Sequence, residues 1–98
     1  MTDASLKAGL AAVEQRDWQN AYRLLSPLAE AGALSATDME KLAEAAFWSN
    51  RVRESLRIRE RAFATYDQGG DAVSAARAAG QLAWGYVMLG SYAVGGGW

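Results

Sequence analysis

Residues 42–62 read LAEAAFWSNRVRESLRIRERA, and the spacing of apolar residues in this stretch decides the fold. Leu42, Ala43, Ala46 and Phe47 recur at helical intervals. Ser49-Asn50 is a turn. Val52, Leu56, Ile58 and Ala62, continued by Phe63 and Tyr66, form one side of a second helix. The unit is therefore two helices joined by a tight turn. It has an echo upstream: Gly9, Trp18, Ala21 and Leu28 are answered by Ala43, Val52, Ser55 and Ala62, each pair 34 positions apart. Small answers small and apolar answers apolar. A repeat of this length marks stacked helical hairpins, which bury their apolar faces against one another and offer the remaining surface to other proteins.

Toward the N-terminus, Ala4 to Gln15 carries Leu6, Leu10 and Val13 on one helical face, with Thr2 or Asp3 placed to cap it. Asp17 occupies a capping position ahead of Trp18, Ala21, Tyr22, Leu25, Leu28 and Ala29. Pro27 lacks a backbone donor and predicts a kink or an early end near Ser26. Ala31-Gly32-Ala33 breaks the helix. Thr37-Asp38-Met39-Glu40 reads as a capping box for the next one, with Ser35 and Asp38 as the alternative pair.

Toward the C-terminus, Asp67-Gln68-Gly69-Gly70-Asp71 is a loop, and Asp71 can cap the next helix. That fifth helix is expected from about Ala72 to Leu89, with Leu82, Ala83, Tyr86 and Leu89 on one side and Gly90 at its end. Tyr92 would open a sixth, which Gly95-Gly96-Gly97 disfavours before Trp98. The expected fold is all-α: a short right-handed solenoid of antiparallel hairpins, about two and a half repeats in a single domain 1–98. The repeats fall at approximately 2–35, 36–69 and 76–98, the last incomplete.

Composition narrows the chemistry. The chain has 98 residues, half of them hydrophobic, a formal net charge of −1, no Cys and no His. A net charge so near zero gives no global attraction to nucleic acid or anionic lipid. Disulfides, thiol nucleophiles, histidine acid–base chemistry and ordinary zinc sites are excluded. Ser5, Ser26, Ser35 and Ser74 have no histidine to activate them, and no Gly-rich phosphate loop follows a strand. Neither catalysis nor a cofactor is expected. The absence of a signal-peptide pattern and of a long apolar run points to a cytoplasmic protein.

The same residues resemble the tetratricopeptide (TPR) repeat. Ala8-Gly9 with Ala12, Trp18, Ala21, Leu25 and Leu28 resembles a first unit. Leu42-Ala43 with Ala46, Asn50, Val52, Ser55 and Ala62 resembles a second, and Leu82-Ala83 with Tyr86, Gly90, Tyr92 and Gly95 a third. Asp38 to Ala46, Glu60-Arg61-Ala62 and the Asp67–Asp71 loop are also similar to the N-terminal helical-repeat region of bacterial LuxR-type transcriptional regulators. That resemblance implies a partner-binding or sensing role in a regulatory system. No helix-turn-helix is read within residues 1–98, so DNA binding is not expected to carry over.

In TPR arrays the first helix of each hairpin lines a groove. The register then assigns Leu6, Leu10, Val13 and Glu14 to it from the first unit, and Glu40, Glu44, Phe47 and Trp48 from the second. Arg77, Trp84, Val87 and Met88 come from the third. This is an apolar trough with an acidic side, suited to an amphipathic helix of a protein or peptide, with Glu40 and Glu44 orienting Lys or Arg on the partner. The alternative is burial against a second copy or later repeats. Trp48 and Trp84 are the expected anchors, and Trp18 is expected in the core.

Arg51, Arg53, Arg57, Arg59 and Arg61 form a run on the fourth helix. Arg53, Arg57 and Arg61 share an arc with Glu54 and Glu60, which reads as a solvated, salt-bridged face. A nucleic-acid-linked regulator acting through this stripe is the alternative function, and a fragment without an independent role is another. Arg59 points into the apolar arc, where an ion pair with Glu44 or Glu40 is expected, or a stem packed on Phe63 with the charge in solvent.

Overall fold

The structure is a computed structural model that describes residues 2–95, with side chains described for residues 4–90. Five α-helices follow one another: α1 Thr2–Glu14, α2 Trp18–Glu30, α3 Ala36–Trp48, α4 Val52–Gln68 and α5 Ala72–Gly95. There is no strand among the described residues, and no described helix is long and apolar enough to cross a membrane.

Every connection is a turn of three to five residues, so consecutive helices fold back on each other. All four turns close the same way. Arg16, Gly32, Asn50 and Gly70 take positive φ values of 59°, 72°, 65° and 78°. The next residue's N–H returns to a carbonyl five positions back: Asp17 to Ala12, Ala33 to Leu28, Arg51 to Ala46, Asp71 to Tyr66. This is the Schellman closure, which satisfies carbonyls that the helix end leaves free.

Helix starts differ more. Ser35 caps α3, its hydroxyl accepting from the Asp38 N–H at 3.1 Å, so the Ser35–Asp38 pairing is the one formed. Asp71 caps α5 by accepting from the Ser74 N–H at 3.1 Å. Asp17 stands at the start of α2 without a side-chain cap bond.

Two expectations on helix length are corrected. The α2 helix runs through Pro27 to Glu30. Pro27 is exposed, and beyond it Ala29 and Leu34 are buried in the core; their packing outweighs the one missing hydrogen bond. Likewise, α5 does not end at Gly90; it continues as one helix to Gly95, so Tyr92 opens no sixth helix. Glycine weakens a helix by only about 1 kcal/mol, too little to stop one this long. Trp98 lies outside the described residues.

The core joins α1 through α4 and takes in the first half of α5. Leu25, Leu42, Ala21, Ala43, Ala46 and Ala62 are essentially fully covered. Burying a Leu contributes roughly 1.5–3 kcal/mol, and the alanines let helices approach closely. Gly9 does this most sharply: a Cβ there would lie 2.5 Å from Leu25 Cδ2. On α4, the buried Ser55 hydroxyl donates to the Ala43 carbonyl at 2.6 Å.

Among the described residues, helix α3 packs against α1, α2 and α4, whereas α5 packs against α4 alone. Gly85 fixes that last contact, since a Cβ there would meet Leu56 Cδ2 at 2.6 Å. The α3 and α5 backbones do not pack together. The space between them is open at the surface.

Candidate functional site: a tryptophan-walled cleft

This space is a cleft of about 520 Å³ with α4 as its floor. Phe47, Trp48 and Glu44 project from α3, and Trp84, Gln81 and Arg77 from α5; Leu56 and Arg59 form the base. Trp48 and Trp84 are each 59% exposed. An indole that open on two facing helices retains most of its area for a partner. Gly80 also lines the cleft, and nothing lies within 4 Å of where its Cβ would be, so the missing side chain widens the opening.

Trp48 is held in place from behind. Its ring stacks on Trp18 at 6.4 Å between centroids and meets Phe47 edge-on at 5.2 Å. Trp18 is half-buried against the core and so supports the wall of the cleft.

One end of the cleft carries polar contacts. Arg77 spans from α5 to Glu40 on α3, Nη1 to Oε1 at 2.6 Å and Nη2 to Oε2 at 2.9 Å. The Tyr66 hydroxyl donates to Glu40 Oε2 at 2.7 Å and lies 3.1 Å from the Thr37 hydroxyl. Burial by itself would raise the Glu40 carboxyl; the hydrogen bonds from Arg77 and Tyr66 outweigh it and hold the group below its ordinary range. At the other end Phe47 is shared with a second depression, between the α3–α4 turn and Met88 and Leu89 of α5.

Of the residues assigned to the trough by register, Glu44, Phe47, Trp48, Arg77 and Trp84 line the cleft, Met88 lines the second depression, and Glu40 lines a third, which shares Glu44, Arg59, Arg77 and Gln81 with the cleft. Leu6, Leu10 and Val13 line none of them. Val13 is buried, and Leu6 and Leu10 pack against the core, because the close approach at Gly9 turns the apolar side of α1 into the α1–α2 contact. Glu14 is exposed. Val87 is 64% exposed and lines none of the depressions. Register does not single out Gln81 or Gly80. Gln81 stands one helical turn after Arg77 and that spacing could have placed it; Gly80 contributes by having no side chain.

The arginines are also arranged differently from expectation. Arg59 forms no ion pair with Glu40 or Glu44; the one ion pair among the described residues is Arg77–Glu40. Arg59 Nη1 instead donates to Gln81 Oε1 at 3.0 Å. Nor is the stripe on α4 salt-bridged. Glu54 accepts from the Tyr22 hydroxyl at 2.7 Å and Glu60 from the Tyr86 hydroxyl at 2.8 Å. Arg51 lies over the Tyr22 ring at 4.3 Å, and Arg61 Nη2 donates to the Ala29 carbonyl at 3.3 Å. Tyr86 comes from α5, which packs on α4, and Tyr22 reaches Glu54 from α2 by the length of its side chain.

No cluster of three or more metal-ligating side chains occurs among the described residues. Comparison with protein-family models, with curated proteins and with solved structures gives no match for this chain.

Proposed function

We propose that this protein is a non-catalytic protein–protein interaction module, a TPR-like array of two helical hairpins and a further helix, serving a bacterial regulatory or signalling system. The observation that carries the reading is the pair Trp48 and Trp84, both largely exposed and facing one cleft. Aromatic anchors in a preformed depression are what interfaces use to concentrate binding energy. The ligand that suits them is an amphipathic helix laid between α3 and α5, its apolar side chains against Phe47, Trp48 and Trp84. The test is titration of a fluorescent amphipathic helical peptide against the wild type and against Trp48→Ala and Trp84→Ala. The reading predicts binding that either substitution weakens by about tenfold or more, on the order of hot-spot losses. Equal binding by all three proteins contradicts it.

Self-association has support of its own. Among the described residues, five of the six exposed large hydrophobics lie on α5: Val73, Trp84, Tyr86, Val87 and Met88. Val73, Gly80 and Val87 recur every seven residues, and so do Ala76 and Ala83, all exposed. That is the period of a coiled-coil seam. The seam carries no charge, so a second copy meets it without repulsion. Direct nucleic-acid binding would rest on Arg53 and Arg57, and a gel-shift titration separates it, since phosphate contacts weaken steeply with salt.

A further inference from the structure

Aromatic walls in the cleft are interrupted by Glu44, Arg77 and Gln81, and one charge lies at its base. Arg59 sits there, half-covered, with one hydrogen bond to Gln81 and no carboxylate at ion-pair distance among the described residues. A guanidinium has five donors in a rigid fork whose geometry matches a carboxylate. Glu40 makes no hydrogen bond to it and is held instead by Arg77 and Tyr66. Glu44 lines the same cleft but is exposed and makes no ion pair with Arg59. Burial pushes the Arg59 guanidinium down from its ordinary value, with Glu40 and Glu44 opposing and Arg77 adding to the effect. The charge is thus covered without a close counter-ion.

We infer that the occupant of the cleft is an amphipathic helix bearing a Glu or Asp within its apolar face, the carboxylate seated on Arg59 between Trp48 and Trp84. This rests on the interaction reading above and gives the partner a sign. The acidic trough expected from the sequence calls for a basic partner. The geometry shifts that, because Glu40 is already neutralised within the fold, while Arg59 and Glu44 have no ion-pair partner among the described residues and Arg59 is the more covered of the two. A carboxylate brought to Arg59 replaces water with a fork-shaped pair inside an aromatic enclosure, where the field between charges is least screened.

The experiment uses the full chain and three labelled helical peptides of Leu and Ala, identical except for Glu, Gln or Lys at the centre of the apolar face. Fluorescence anisotropy is expected to give the Glu peptide an affinity about tenfold above the Gln peptide, the scale of a charge-assisted pair, with the Lys peptide weakest. Arg59→Gln should erase the preference while the Gln peptide binds as before, and Arg59→Lys should restore part of it. Circular dichroism confirms that each variant is folded. Equal binding of the Glu and Gln peptides, or tightest binding of the Lys peptide, overturns the inference and leaves the interaction reading standing. Failure of all three peptides on folded protein overturns both.

Discussion

Arg77 on α5 and Glu40 on α3 form a two-pronged ion pair across the end of the cleft, joining helices whose backbones do not pack together. The Glu40 side chain is only 12% exposed, so its charge depends on Arg77 and Tyr66 for compensation. Glu40→Gln is expected to lower the melting temperature at pH 7 by about 5–10 °C, from the loss of roughly 1–2 kcal/mol of charge-assisted hydrogen bonding. The pH dependence has a definite sign. The folded-state Glu40 carboxyl lies below its ordinary value of 4.5. Its contribution is therefore complete above 4.5 and is lost as pH falls through the folded value. Thermal melts from about pH 7 to about pH 2 should show the wild type and Glu40→Gln converging at the acid end; a constant gap would contradict the assignment.

The four turns give a prediction of opposite sign at two kinds of residue. Arg16 holds a φ of +59° in a position where glycine is at ease, and Gly32 and Gly70 hold the equivalent conformation. A side chain there costs about 1–2 kcal/mol, partly offset by the greater freedom of glycine in the unfolded chain. Urea denaturation should show Arg16→Gly more stable than the wild type by roughly 0.5–1 kcal/mol, and Gly32→Ala and Gly70→Ala less stable by about the same amount.

Glycines inside helices should divide by their surroundings. Gly9 is pressed against the fully buried Leu25, while Gly80 faces open space in the cleft. Gly80→Ala should stabilise α5 by up to about 1 kcal/mol. Gly9→Ala gains the same propensity but must displace a packed side chain, at a cost of about 1–3 kcal/mol, and should come out destabilised. Denaturant midpoints measured side by side check the contrast.

Most of the fold is legible in the sequence because each hairpin is a local pattern. The spacing of Leu42, Ala43, Ala46 and Phe47, the turn at Ser49-Asn50 and the echo at Gly9 to Leu28 need only neighbours to be read, and helices are found where they point. The limits of α2 and α5 are not legible, since Pro27 and Gly90 carry penalties that packing and helix length overcome. The site is half legible. Register brings Phe47, Trp48 and Trp84 together, but it cannot show which carboxylate reaches which cation. Glu40, Glu54 and Glu60 are engaged by groups 26 to 37 positions away, a choice made only when the helices assemble.

The exposed heptad seam on α5 predicts concentration-dependent association. Sedimentation velocity from about 5 to about 500 μM should show a rising weight-average mass for the wild type. A charge placed in the seam opposes burial, so Val73→Glu with Val87→Glu should keep the protein monomeric and helical. A monomer across the range for the wild type would remove self-association from the account.

The most direct test of the cleft is the four indole N–H signals in a proton–nitrogen NMR spectrum, assigned by Trp→Phe substitution and followed as the Glu-bearing helical peptide is added. The account predicts large saturable shifts for Trp48 and Trp84, a smaller one for Trp18 through its stack with Trp48, and loss of these shifts in Trp84→Ala or Trp48→Ala at the same peptide concentration. Unchanged Trp48 and Trp84 signals at millimolar peptide, with the protein folded, would contradict it.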